Sequence, residues 1–253
     1  MNDDRRSGAQ AVERAVRVLR AFEQQGPELG VSQIAAAVQL PVSTVHRMMR
    51  ALVAAGLLAQ DAGSDRYHLG SSVAVLGQLA AERLGYEAAR PVLERLAADT
   101  GESVNLGVLA GSEVLVVLRV SSRQSLRFDQ APGTRVPAHA SAMGKVLLAP
   151  REEWQAAPDA ASLRRLTPHT ITSPRALAAE LRRVREQGWA LNDEERDEGV
   201  RAVAAPVLDR AGRAVAAVAV QGPSVRLSDD RVATLAEQAQ GAAFEIAPLL
   251  VSR

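Results

Sequence analysis

Ser43, His46, Arg47 and Arg50 recur at i, i+3, i+4 and i+7, a spacing that puts all four on one face of an α-helix. A hydroxyl, an imidazole and two guanidinium groups aligned in this way are the groups that read base edges and phosphates in duplex DNA. Val45, Met49 and Leu52 take the opposite face at the same spacing, so the helix has an apolar back for neighbours to hold. Ahead of it, residues 31–38 read as a shorter helix and Gln39-Leu40-Pro41 as a tight turn. Pro41 suits a first helical turn, or Ser43 caps the helix. After Gly56, residues 57–60 and 66–69 flank the polar run Asp61-Ala62-Gly63-Ser64-Asp65, a hairpin pattern. Residues 31–70 therefore read as a winged helix-turn-helix. Ser32, Val42 and Thr44 join the four face residues as candidate contacts to double-stranded DNA, and Arg66 and Tyr67 are the candidates in the wing.

The elements that position this face are apolar and aliphatic. Of 253 residues, 47% are hydrophobic and only 3% aromatic. The chain can thus bury sizeable cores of Ala, Val and Leu, and it lacks the aromatic platforms on which single-stranded nucleic acid stacks. The net charge of +1 is nearly balanced. Between Arg5 and Leu58, however, seven arginines face three glutamates, a local positive excess where phosphate contact is expected. There is no cysteine, hence no disulfide framework or thiolate metal site. The first residues lack the apolar run of a secretion signal, and the most apolar short run, 214–220, is too brief to span a bilayer. A soluble, cytoplasmic protein without membrane association is expected.

Apolar periodicity predicts a first helix over 9–25, ended by Gly26-Pro27, and a linker helix over 71–84. A further helix over 87–99 closes at Thr100-Gly101. The pattern then changes to strands. Residues 103–109 and 113–120 flank a turn at Ala110-Gly111-Ser112, and 200–208 and 213–221 flank Asp209-Arg210-Ala211-Gly212. Helices are predicted over 141–149, over 175–187 with Gly188 ending it, and over 229–250 with Ser228 as cap. Antiparallel hairpins interrupted by helices make an α+β chain. The expected domains are a winged helix-turn-helix over 8–70, a linker helix over 71–85, and an effector-binding and oligomerisation domain over 86–253.

Other side chains invite different chemistry. Asp193, Glu194, Glu195, Asp197 and Glu198 are close enough for acid–base work or divalent metal, but read as a solvated turn. His139, Ser141 and Lys145 suggest a nucleophile with a base, yet no third, orienting group is identifiable. The four histidines do not sit at metal-ligand spacing. No catalytic constellation, metal site or cofactor is expected. An enzyme with an accessory DNA-binding domain and a protein-pairing module are the competing readings.

The chain resembles the IclR family of bacterial transcription regulators. The likeness rests on residues 11–15, on Leu40-Pro41-Val42-Ser43-Thr44-Val45-His46-Arg47, and on Tyr67-His68-Leu69-Gly70. Further along it rests on His139-Ala140-Ser141-Ala142-Met143-Gly144-Lys145, on 188–195, on 199–206 and on Gly222-Pro223. The resemblance implies a C-terminal GAF-like domain, a curved antiparallel sheet with helices on both sides. It also implies a homodimer, or dimer of dimers, on a pseudo-palindromic operator. Its effector pocket maps onto Ala142, Met143 and Gly144, onto Asn192, and onto Val200, Ala202, Ala219 and Gln221. Three positions depart from the family pattern: Asn192 stands where Asp is common, Ala202 where Cys is common, and Ala219 where some members carry Ser. Backbone N–H groups at the start of the 141–149 helix suit a carboxylate. The resemblance thus implies a regulator, a repressor rather than an activator, controlled by a small carboxylic or aromatic acid.

Overall fold

A computed structural model describes residues 3–151, 154 and 163–250. The chain divides into two compact units, residues 1–82 and 83–253. Unit one contains α1 (Asp3–Gln25), α2 (Val31–Val38), α3 (Val42–Ala54), β1 (Leu58–Gln60), β2 (Tyr67–Leu69) and most of α4 (Ser71–Leu84). Helix α1 starts well before residue 9, because its polar first turns carry no apolar repeat to read. Its stripe of Val18, Ala21 and Phe22 packs with Ile34 and Val38 of α2 and with Val45, Met49 and Leu52 of α3. Gln39 ends α2 in the left-handed region at φ 54°, and the N–H groups of Gln39 and Leu40 bond back to Ala36 and Ala35. Pro41 then holds the N-cap position of α3, with Ser43 inside the helix.

The wing is pinned at both ends. Asp61 Oδ1 accepts from Gly63 N, Ser64 N and Ser64 Oγ at 2.8–3.0 Å, an Asx-type turn that fixes the tip. At its base Leu29 and Tyr67 exchange two backbone hydrogen bonds of 2.9 Å. Gly70 closes the unit, since a Cβ there would lie 2.2 Å from the Gly56 carbonyl oxygen. Helix α4 has no buried residue along its length. Its Val75, Leu76 and Leu79 are each more than half exposed.

Unit two is built on a six-stranded antiparallel sheet of order β5-β4-β3-β8-β7-β6. The strands are β3 (Ser103–Ala110), β4 (Glu113–Val120), β5 (Arg135–Pro137), β6 (Ala190–Asp193), β7 (Val200–Leu208) and β8 (Ala214–Pro223). The helices are α5 (Arg90–Thr100), α6 (Ala142–Leu148), α7 (Pro174–Gln187) and α8 (Asp229–Ile246). Strands β7 and β8 read as near-continuous apolar runs because both sheet faces are covered. On one face Val203, Ala205, Val207, Val218 and Val220 meet α5 and α8 in a single core. On the other, Ala202, Ala204, Ala217 and Ala219 meet Met143, Val146 and Leu147 of α6 and Leu177 and Leu181 of α7. Strands β5 and β6 were not anticipated: at three and four residues they are too short to show an alternation. Among the described residues no helix is long and apolar enough to cross a membrane.

Candidate functional site

Helix α3 separates its faces as the spacing predicts. Val45 and Met49 are fully buried and Leu52 nearly so. Ser43, His46, Arg47 and Arg50 are exposed, as are Val42 at the helix start and Ser32 on α2; Thr44 is half-buried. Among the described residues, His46, Arg47 and Arg50 have no hydrogen-bond or ion-pair partner. Two charged groups and an imidazole are therefore presented from a helix whose back is immobilised by core contacts.

The wing residues behave differently. Arg66 is part-exposed, and its guanidinium donates to the Glu28 carbonyl oxygen at 2.6 Å and faces the Glu28 carboxylate at 3.9 Å. Tyr67 corrects the expectation. Its ring is 3% exposed and belongs to the core with Phe22, Leu29 and Leu58, because the inward position of β2 gains more from burying an aromatic ring than a groove contact would. Tyr67 is not available as a DNA contact.

In unit two the expected effector residues meet on the α6 side of the sheet. Asn192 pairs with Ala202, Ala202 with Gln221, and Gln221 with Ser103, making one row across β6, β7, β8 and β3. Ala219, paired with Ala204 and Asn105, lies in the next row. Val200 is half-buried at the entry to β7. Ala142, Met143 and Gly144, all buried, bring α6 over these rows. Gly144 is required there: a Cβ would lie 2.0 Å from the Ala138 carbonyl oxygen. Its N–H, however, is not free for a ligand. Ser141 caps α6 and accepts from Gly144 N at 3.1 Å, so the expected donor set loses Gly144.

Polar residues that periodicity could not select complete this face. Gln221 Nε2 donates to Asn105 Oδ1 at 2.9 Å, and Asn105 Nδ2 donates to the Gln130 carbonyl oxygen at 3.1 Å. All three residues are buried. These contacts join positions 25 and 116 residues apart, and the only sequence signal was polar residues inside apolar strands.

The acidic stretch is solvated in part: Asp193 and Glu198 are exposed, whereas Glu195 is buried. Asp193 pairs with Arg201 at 2.6 Å, Asp197 with Arg196 at 2.5 Å, and Glu194 accepts from Gly199 N at 2.8 Å. Glu195 is buried, its Oε1 2.5 Å from Lys145 Nζ. The Lys145 ammonium, 1% exposed, also donates to Glu180 Oε1 at 3.1 Å and to the Leu191 carbonyl. Burial pushes the Glu195 carboxyl up, against the pull of Lys145. Burial also opposes ionisation of Glu180, but Lys145 and Arg183 together outweigh it and hold that carboxyl low. The hydrogen bond from Arg201 keeps Asp193 below the usual carboxylate range.

The residues weighed as a nucleophile and base have structural partners instead: His139 Nε2 contacts the Arg164 carbonyl at 3.0 Å, Ser141 caps α6, and Lys145 is held by its two glutamates. Among the described residues no three His, Cys, Asp or Glu side chains cluster to hold a metal.

A helix-turn-helix whose basic face has no partner among the described residues, in one chain with an antiparallel-sheet domain carrying a buried polar row, defines a two-domain DNA-binding regulator. The family descriptions "Bacterial transcriptional regulator IclR C-terminal" and "IclR helix-turn-helix domain" match residues 84–247 and 11–62, and the chain belongs to the IclR family. It is 36% identical over 242 residues to the HTH-type transcriptional regulator BhcR of Paracoccus denitrificans, covering 94% of this chain and 86% of that one. It is 34% identical over 246 residues to the HTH-type transcriptional repressor AllR of Salmonella typhi, covering 96% and 90%. Among solved structures, an IclR homolog from Microbacterium hydrocarbonoxydans complexed with 4-hydroxybenzoate superposes with a TM-score of 0.81 at 28% identity, covering 95% and 98%.

Proposed function

We propose that this chain is a sequence-specific repressor whose operator affinity is set by a small carboxylic or aromatic acid bound in unit two. The observation that carries the reading is the face of α3: Ser43, His46, Arg47 and Arg50 exposed over a back of fully packed Val45 and Met49. Ser32, Val42 and Thr44 border it, and Arg66 approaches phosphate from the wing. The effector is held by the Ala142–Met143 segment, Asn192, Val200, Ala202, Ala219 and Gln221. Repression is supported by AllR, named a repressor, and an aromatic acid by the relative crystallised with 4-hydroxybenzoate.

The working domains are residues 8–70 for DNA, 71–85 as linker and 86–253 for effector and assembly, in a cytoplasmic protein without catalysis. A homodimer is supported by the apolar residues left uncovered on α4 and by Val12 and Val16 on α1. Such stripes mark surfaces that a second copy covers. Two copies would read a pseudo-palindrome with half-sites about one DNA turn apart.

The test is binding of the full chain to the intergenic DNA beside its own gene, over a salt series, with and without a panel of small carboxylic and aromatic acids that includes benzoate and 4-hydroxybenzoate. Specific binding with a steep salt dependence and an acid-induced change in affinity is expected. No retention at low salt refutes the regulator reading. Retention indifferent to every small acid refutes the effector class alone.

A further inference from the structure

We propose that Lys145 is a positioning residue of the effector site, and that Glu195 beside it makes affinity for a carboxylate effector fall as the pH rises. The inference rests on the effector site assigned above and adds two residues that touch its walls and not the ligand. Lys145 follows directly on Ala142–Gly144, one wall. Its ammonium reaches across to the 191–195 turn, the other wall, where it binds the Leu191 carbonyl and Glu195 Oε1. Asn192 sits between those two anchors. From α7, Glu180 Oε1 binds the same ammonium. One buried charge thus ties together the segments on either side of Asn192.

The tie also fixes which end of Asn192 is available. Its Oδ1 accepts from Glu195 N at 2.9 Å, leaving the amide NH2 as the donor. An N–H donor suits a carboxylate, whereas Asp at this place would offer acceptors alone. Glu194, between the anchors, is held at φ 57°, a left-handed backbone that persists only where its surroundings impose it.

Charge makes the device sensitive to pH. The groups facing Glu195 are Lys145 and Glu180, with Arg183 on Glu180. Asp193 paired with Arg201, Glu194 and His169 surround the turn. With Glu195 protonated, Lys145 and Glu180 cancel. With Glu195 ionised, the buried Lys145–Glu180–Glu195 group becomes one charge more negative in the turn that carries Asn192, and only the half-exposed Arg183 on Glu180 offsets it. Glu195 Oε2 is inaccessible and has no hydrogen-bond partner among the described residues, so the new charge is met through Oε1 by a Lys145 ammonium that Glu180 already shares. An anionic effector is then repelled through a poorly screened medium.

The test titrates benzoate and 4-hydroxybenzoate into the full chain by calorimetry from about pH 5 to about pH 9, with melting curves confirming that each variant is folded. Wild type is expected to weaken about tenfold or more across the range, and E195Q to bind with little pH slope. K145M is expected to lose about tenfold or more, with K145R recovering most of it. An E195Q pH slope equal to wild type, or K145M affinity equal to wild type, overturns the proposal. N192A separates the two layers: if N192A weakens binding while K145M and E195Q do not, the site stands and the positioning role falls. If neither acid binds wild type, the effector-site reading is refuted and this inference with it.

Discussion

Replacing Arg47 by Ala separates reading DNA from holding the fold. In the free protein the Arg47 guanidinium is exposed and has no partner among the described residues. Its removal should therefore change folding stability by no more than about 0.5 kcal/mol. In the complex, a guanidinium bidentate to a guanine contributes about 1–3 kcal/mol of discrimination, which is a loss of about 5-fold to 150-fold for the operator. Non-specific affinity should fall far less, because only one phosphate-range charge is removed. Met49→Ala on the back of the same helix is the mirror case. Met49 is fully buried, and truncation should cost about 2–5 kcal/mol of stability, with operator affinity at low temperature retained while the protein stays folded. Fluorescence anisotropy on operator and scrambled duplexes at fixed salt, beside urea melts, measures both quantities. If Arg47→Ala leaves the ratio of operator to scrambled affinity unchanged, Arg47 does not read a base. If it lowers stability as much as Met49→Ala does, the separation of faces on α3 is wrong.

Gln39→Gly should stabilise unit one by about 0.5–1 kcal/mol, since glycine relieves the left-handed strain at the turn and Gln39 is exposed there; chemical denaturation measures the gain, and a loss refutes the strain. Gly144→Ala should destabilise unit two by about 1–3 kcal/mol, because the added Cβ meets the Ala138 backbone and not a flexible side chain; a variant that melts with wild type would refute the close approach. Stability against pH should distinguish wild type from Glu195→Gln. The folded Glu195 carboxyl lies above its unfolded value, so its contribution is full below about pH 4.3 and is lost as the pH rises through the folded value. The stability of wild type relative to Glu195→Gln should thus decline over that window, and a parallel pair of curves would show that Glu195 is not perturbed.

What could be read from the sequence follows from the range of the interactions. The faces of α3 depend on residues three and four apart, and periodicity displays them directly. The wing depends on a turn with Asp61 and Gly63, and the β3–β4 and β7–β8 hairpins on short polar turns, all local signals. Tyr67 was misplaced because a strand of three residues does not disclose which side faces the core. Strands β5 and β6 escaped for the same reason. The effector residues came from family likeness, not chemistry, since Ala142, Ala202 and Ala219 carry no polar signal of their own. The Gln221–Asn105–Gln130 chain and the Lys145–Glu195–Glu180 group stayed hidden because each joins distant segments. A lysine in a short helix and a glutamate in an acidic run both look like surface residues until the fold buries them.

Helix α4 has 14 residues and none of them is buried. An unsupported helix of about 12–15 residues is marginal in water. If the proposed homodimer forms, the segment between the two units would take part of its order from the copy that covers Val75, Leu76 and Leu79. Under that proposal the stiffness of the connector would become a function of protein concentration. A dilute protomer would keep both folded ends yet lose the rod through which one could inform the other.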